Sequence, residues 1–138
     1  MYSFILVLMF ALSGGLTSDS PSSETTLTTV NEPKVLAVRM YADWCGNCKI
    51  LDSKVESFKE GFSDGRVVFI RLDQTEDFDT AQSELLAGLL GIKDVFLEYK
   101  GKTGMMLLID ANSKKLLEVI THRNETDEIK AKIAGYIK

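Results

Sequence analysis

Two cysteines, Cys45 and Cys48, are the only sulfur nucleophiles in this 138-residue chain, and they are spaced C-x-x-C within Trp44-Cys45-Gly46-Asn47-Cys48-Lys49. Sulfurs at that spacing can close a small disulfide ring or stand as a dithiol, so the chain carries a two-electron redox couple. An apolar run precedes the pair and a helical pattern follows it. The first cysteine therefore falls where a strand gives way to a helix. Unpaired N–H groups and the helix dipole favour a thiolate there, and such settings lower a thiol pKa from about 8.5 into a range of about 3.5–7.5. Cys45 would attack a partner disulfide, and Cys48, one helical turn on, would release the partner by attacking Cys45's sulfur. The bland alternative is a pair of buried structural thiols or a static bridge. A bridge across so short a loop constrains the unfolded chain little.

The elements that must position the pair follow from periodicity. Lys34 to Met40 and Arg66 to Leu72 are apolar runs suited to buried strands. From Asn47 to about Phe58, with Phe62 beyond, Leu51, Val55 and Phe58 recur at helical spacing, and Gly61 is a stop signal. Asp79 to Leu90 is helical in pattern, with Leu85, Leu86, Leu89 and Leu90 on one side and Gly91 ending it. Gly104 to Asp110, the turn Ala111 to Lys114 and Leu116 to Thr121 form an antiparallel hairpin. Asn124 or Thr126 caps a last helix in which Ile129, Ile133 and Tyr136 share a face. The order β-α-β-α-β-β-α implies an α/β fold, a mixed sheet with helices on both faces.

Composition narrows the function. The net charge of −4 argues against a nucleic-acid footprint. One histidine, His122, and two cysteines fall short of the four ligands of a structural zinc site, so no metal is expected. Phe4 to Leu12 is an apolar run followed by small residues, read as an export signal or N-terminal anchor over residues 1–15, though no Lys or Arg precedes it. Residues 16–31 are rich in Ser and Thr and read as a flexible tether, leaving 32–138 as one domain. An exported, periplasmic or otherwise extracytoplasmic location follows, with the N-terminus as a membrane tether. Asn124-Glu125-Thr126 matches an N-glycosylation sequon. Met105 and Met106 read as strand residues rather than metal ligands.

Tyr41-Ala42-Asp43-Trp44-Cys45-Gly46-Asn47-Cys48-Lys49 resembles the active-site segment of the thioredoxin superfamily, whose usual form is W-C-G-P-C-K. The element order from Lys34 to Lys138 is similar to that fold. The resemblance implies that Cys45 is the nucleophile and Cys48 the resolving thiol, with Trp44, Gly46, Asn47, Thr103 and Gly104 facing the substrate. It also implies a monomer acting on protein disulfides or dithiols with no organic cofactor. The direction favoured is reduction, and a reductase outside the cytosol needs an electron donor, such as a membrane partner.

Four departures stand out. Asn47 replaces the motif proline. Arg39 stands where the family commonly has a buried aspartate, and Arg71 falls near its usual lysine. Both are candidates to tune the sulfurs by favouring thiolate; the alternative pairs them with carboxylates such as Asp73, or leaves them in solvent. The family's cis-proline is missing, because the only prolines are Pro21 and Pro33; Gly104 takes its place, after Thr103, across an expected trans bond. Lys93 to Lys102 is an insertion, read either as a partner-recognition flap or edge strand, or as a surface loop burying its aromatics. These departures motivate two other readings, a non-catalytic module binding a protein or metal, and a redox sensor.

Overall fold

A computed structural model describes residues 31–138. The expected leader (1–15) and all of the expected tether (16–31) except Asn31 lie outside the described residues. The elements are β1 Val35–Tyr41, α1 Gly46–Phe58, a 3-10 turn Lys59–Phe62, β2 Val67–Asp73, α2 Asp77–Leu89, α3 Lys93–Tyr99, β3 Met105–Asp110, β4 Leu116–Thr121 and α4 Thr126–Tyr136. The sheet order is β2-β1-β3-β4. β1 pairs in parallel with β2 and antiparallel with β3, and β3 pairs antiparallel with β4. The mixed sheet is the one expected.

β1 is central and covered on both faces, which is why it reads as an unbroken apolar run. Val35 and Ala37 join Leu51, Val55 and Phe58 of α1 and Ile129 and Ile133 of α4 in one core. Leu36, Val38 and Met40 point the other way, into a core with Ala87, Ile92 and Phe96. On α4, Ile129 and Ile133 are buried as expected, but Tyr136 is exposed and Ile137 is buried instead.

Two expectations are corrected on the second face. α2 does not bury its leucines: its buried residues are Ser83 and Ala87, while Leu85, Leu86 and Leu89 are exposed and Leu90 is half-buried. Small side chains let this helix lie close to the sheet, and Ser83 Oγ donates to the Asp73 carbonyl at 2.7 Å. The inserted Lys93 to Lys102 segment is neither flap nor edge strand. It forms α3, which buries Phe96 in the core and is tied to α2 by Lys93 and Lys100, each 3.0 Å from the Glu84 carboxylate. Phe96 is buried and Tyr99 half-buried, in the direction of the packing alternative, but on a helix rather than a loop.

Candidate active site

β1 ends at Tyr41, and the chain turns through Ala42 to Trp44 into α1. Cys45 is the N-cap of α1, with extended backbone (φ −88°, ψ 104°), and its Sγ accepts the Cys48 N–H at 3.1 Å. The Cys45 N–H donates to the Ala42 carbonyl at 3.0 Å, closing the turn. Cys45 and Cys48 are joined as a disulfide, with Cα atoms 5.3 Å apart. Cys45 is 8 % exposed and Cys48 2 %, so Cys45 is the less buried of the two. No acidic residue sits in the first turn of α1, so nothing there opposes a thiolate on Cys45.

One backbone carbonyl organises the inner side of the pair. Met40 O lies 3.7 Å from Cys48 Sγ and accepts the Gly104 N–H at 3.0 Å. A reduced Cys48 thiol would donate there. Gly104 is buried, with φ +78°. A Cβ at this position would lie 2.9 Å from Asn47 Cβ and 3.4 Å from Cys45 Sγ. The left-handed backbone and the contact with Asn47 both require glycine. Asn47 thus packs close against Gly104. The Thr103–Gly104 bond is trans, as expected. Thr103 is half-buried, and among the described residues its N–H and carbonyl make no backbone hydrogen bond. Gly46 is exposed with open space around its Cα, and Asn47 is exposed beside it.

The outer rim is held by the loop after β2. Trp44, 66 % exposed, donates from Nε1 to the Thr75 carbonyl at 3.3 Å. The Asp43 N–H donates to Thr75 Oγ1 at 3.0 Å, and Thr75 itself donates from N and Oγ1 to Asp73 Oδ1. Thr75 thus positions the indole beside Cys45.

Both candidate tuning residues go to partners other than the sulfurs. Arg39 Nη1 lies 2.9 Å from Asp52 and 3.5 Å from Glu56, both on α1. Lys59 first, and Arg39 with it, hold the Glu56 carboxyl below its ordinary pKa. Arg71 stacks on the Tyr41 ring, 4.5 Å from its centroid. Tyr41 in turn donates to Asp43 at 2.7 Å, which is the main cause of its raised pKa. The carboxylate alternative holds for Arg39, with Asp52 and Glu56 in place of Asp73.

Sequence reasoning missed Thr75 and Gln74. Gln74 is 8 % exposed, and its Oε1 accepts the Gly101 N–H at 2.7 Å, anchoring the loop that leads to Thr103. No local signal distinguishes a buried amide after a strand from a solvated one. Among the described residues no group of three or more His, Cys, Asp or Glu side chains is placed to hold a metal ion.

A sheet of this topology with a cysteine pair capping α1 defines an α/β thiol–disulfide protein. The thioredoxin family model matches residues 22–103. The chain belongs to the thioredoxin family, whose members exchange disulfides with proteins and generally need no cofactor. It is 28% identical to Thioredoxin-T of Drosophila melanogaster, over 72% of this chain and 64% of that one. It is 34% identical to the chloroplastic Thioredoxin F of Oryza sativa, over 62% of this chain and 42% of that one. It is 28% identical to Thioredoxin-2 of Saccharomyces cerevisiae, over 72% of this chain and 89% of that one. The chain thus spans less than two thirds of the fly and rice relatives. The oxidised thioredoxin of Plasmodium falciparum shares the fold, with a TM-score of 0.50 at 17% identity over 77% of this chain and 84% of that one.

Proposed function

We propose that this chain is an exported thiol–disulfide oxidoreductase that reduces protein disulfides. The observation that carries the reading is Cys45 itself. It is the less buried cysteine, it caps a helix, and its sulfur accepts the Cys48 N–H. That hydrogen bond favours the thiolate over the thiol.

In the reducing direction the Cys45 thiolate attacks one sulfur of the partner disulfide. A Cys45–partner bond forms, and the other partner sulfur leaves as a thiolate and takes a proton. Cys48 then loses its proton and attacks Cys45 Sγ. The second partner sulfur departs, and two electrons have passed from the cysteine pair to the partner. Thr103 and Gly104 supply the backbone against which the partner segment lies, and Trp44, Gly46 and Asn47 its outer contacts. The oxidised pair is returned to the dithiol by a donor, which for an exported protein is a membrane-bound dithiol carrier. The protein acts as a monomer. The apolar stretch Phe4 to Leu12 supports export, the location being extracytoplasmic and, in a bacterium, periplasmic.

The test is insulin-disulfide reduction by the wild type and by a Cys45→Ser, Cys48→Ser double variant. Turnover in the wild type and none in the variant is expected; equal rates would sink the reading. Direction is tested by the redox potential of the pair. A value near about −270 mV accords with a reductant, and one near about −120 mV with an oxidant.

A further inference from the structure

At Gly104 the surface opens into a cleft of about 230 Å³ whose lining includes Asn47, Thr121, His122 and Arg123. We propose that this cleft receives an acidic side chain lying one or two residues from the target cysteine of a protein disulfide. The proposal rests on the oxidoreductase reading above and names its substrate class.

Position is the first argument. Gly104 is shared by the two sites: it lines the cleft, and a Cβ on it would be 3.4 Å from Cys45 Sγ. A segment bonded to Cys45 advances about 3.3 Å per residue if extended. A segment that runs past Gly104 therefore brings its next one or two residues within reach of the cleft. The unpaired N–H and carbonyl of Thr103 offer such a segment a strand-like edge and fix its register.

Charge is the second. The chain carries a net −4, yet among the described residues no carboxylate lines this cleft. Among the described residues Arg123 makes no ion pair and the His122 ring makes no hydrogen bond. Of the two acids in the first turn of the following helix, Glu128 is engaged by Asn124 Nδ2 at 2.9 Å and by Lys132 at 3.7 Å, and Asp127 by Lys130 at 3.3 Å; the exposed N-cap, Glu125, lies outside the cleft lining. The hydroxyl of Thr121, half-buried in the wall, is engaged within the turn, donating to Asn124 Oδ1 at 3.5 Å and accepting the Arg123 N–H at 3.4 Å. The wall lacks a carboxylate and has a guanidinium to offer one.

The third argument is rigidity. Lys54 of α1 donates to the carbonyls of His122 and Asn124 at 3.0 and 2.8 Å, and Asn124 Oδ1 accepts the Thr121 N–H at 2.9 Å. The turn is thus pinned to the helix that bears the cysteines. A pre-formed wall recognises its ligand without having to be ordered first.

The experiment uses two peptide disulfides that differ only in Glu or Gln beside the cysteine. At low salt the wild type should favour the Glu peptide in kcat/KM by about three- to five-fold, as befits a partly exposed ion pair, with the ratio shrinking as salt rises. Arg123→Ala should bring the ratio to about one and Arg123→Glu should invert it. Lys130→Glu, the same charge change on exposed α4, should leave it alone. A wild-type ratio of one, a ratio unmoved in Arg123→Glu, or an equal shift in Lys130→Glu would overturn the proposal. Reduction of glutathione disulfide with the same dependence on Arg123 would also overturn it, by reassigning the cleft to a small anionic disulfide. Binding of the same peptides with serine in place of cysteine, followed by Trp44 fluorescence, reads the preference without turnover. Turnover of the neutral hydroxyethyl disulfide by the wild type reports the oxidoreductase reading separately. Failure there, with the Glu preference kept in binding, would sink that reading and leave the cleft's.

Discussion

α1 and α2 are each thirteen residues long, and they are built in opposite ways. α1 buries Cys48, Leu51, Val55 and Phe58, so large side chains lock it to the sheet. α2 buries Ser83 and Ala87 and turns Phe78, Leu85 and Leu89 to solvent. Their starts differ too. A sulfur caps α1, whereas the Asp79 carboxylate accepts the Glu76 N–H at 3.2 Å ahead of α2. The helix that must hold a reactive atom in place gains its position from bulk. The helix that only covers the second core gains it from closeness, through small residues and one serine hydrogen bond.

The sharpest way to break this contrast is to delete bulk from α1. Leu51→Ala should cost about 2–5 kcal/mol, because Leu51 is fully buried and a cavity would remain; urea unfolding measures it. Ala87→Leu asks the converse of α2. With no exposed surface on Ala87, the added carbons should cost about 1–3 kcal/mol, and no loss would mean that α2 is not close-packed. Gly104→Ala tests the loop facing the start of α1. The left-handed backbone costs about 1–2 kcal/mol for an L-residue, and the contact with Asn47 Cβ should also slow reduction of insulin. Leu85→Ala should change stability by less than about 0.5 kcal/mol, since its side chain is exposed. The smallest effect is electrostatic. Lys100 and Lys93 hold the Glu84 carboxyl below its ordinary 4.5, Lys100 most. Its contribution is then full above about pH 4.5 and fades as pH falls through the lowered folded value. Glu84→Gln should lose that acid dependence, read as a smaller drop in melting temperature between pH 5 and pH 3.

The same contrast explains what was legible. β1, β3 and α1 announce themselves because large apolar residues recur at strand or helix spacing and are buried where the spacing puts them. The C-x-x-C pair and its position at a strand–helix junction were readable for the same reason. α2 misleads because its periodic leucines mark the exposed side, and Ser83 and Ala87 carry no hydrophobic signal. The nature of the insertion stayed open because Lys93 to Tyr99 is a short helix whose N-cap, Ile92, makes no side-chain cap bond. Around the sulfurs, the residues with chemistry were found, and the residues that hold them were not. Thr75, Gln74 and Lys54 act across 31, 27 and 68 residues of sequence, distances at which local patterns say nothing.

The left-handed conformation of Gly104 also bears on which sequences lie one mutation away. Proline needs φ near −65°, so Gly104→Pro alone would collide with both the backbone and Asn47. Asn47→Pro, by contrast, falls in the first turn of α1, where the lost N–H has no helical partner to miss. The two prolines of the family signature are therefore unequally reachable from this chain. The one between the cysteines is a single step. The one in the facing loop requires the loop itself to be rebuilt in company with it.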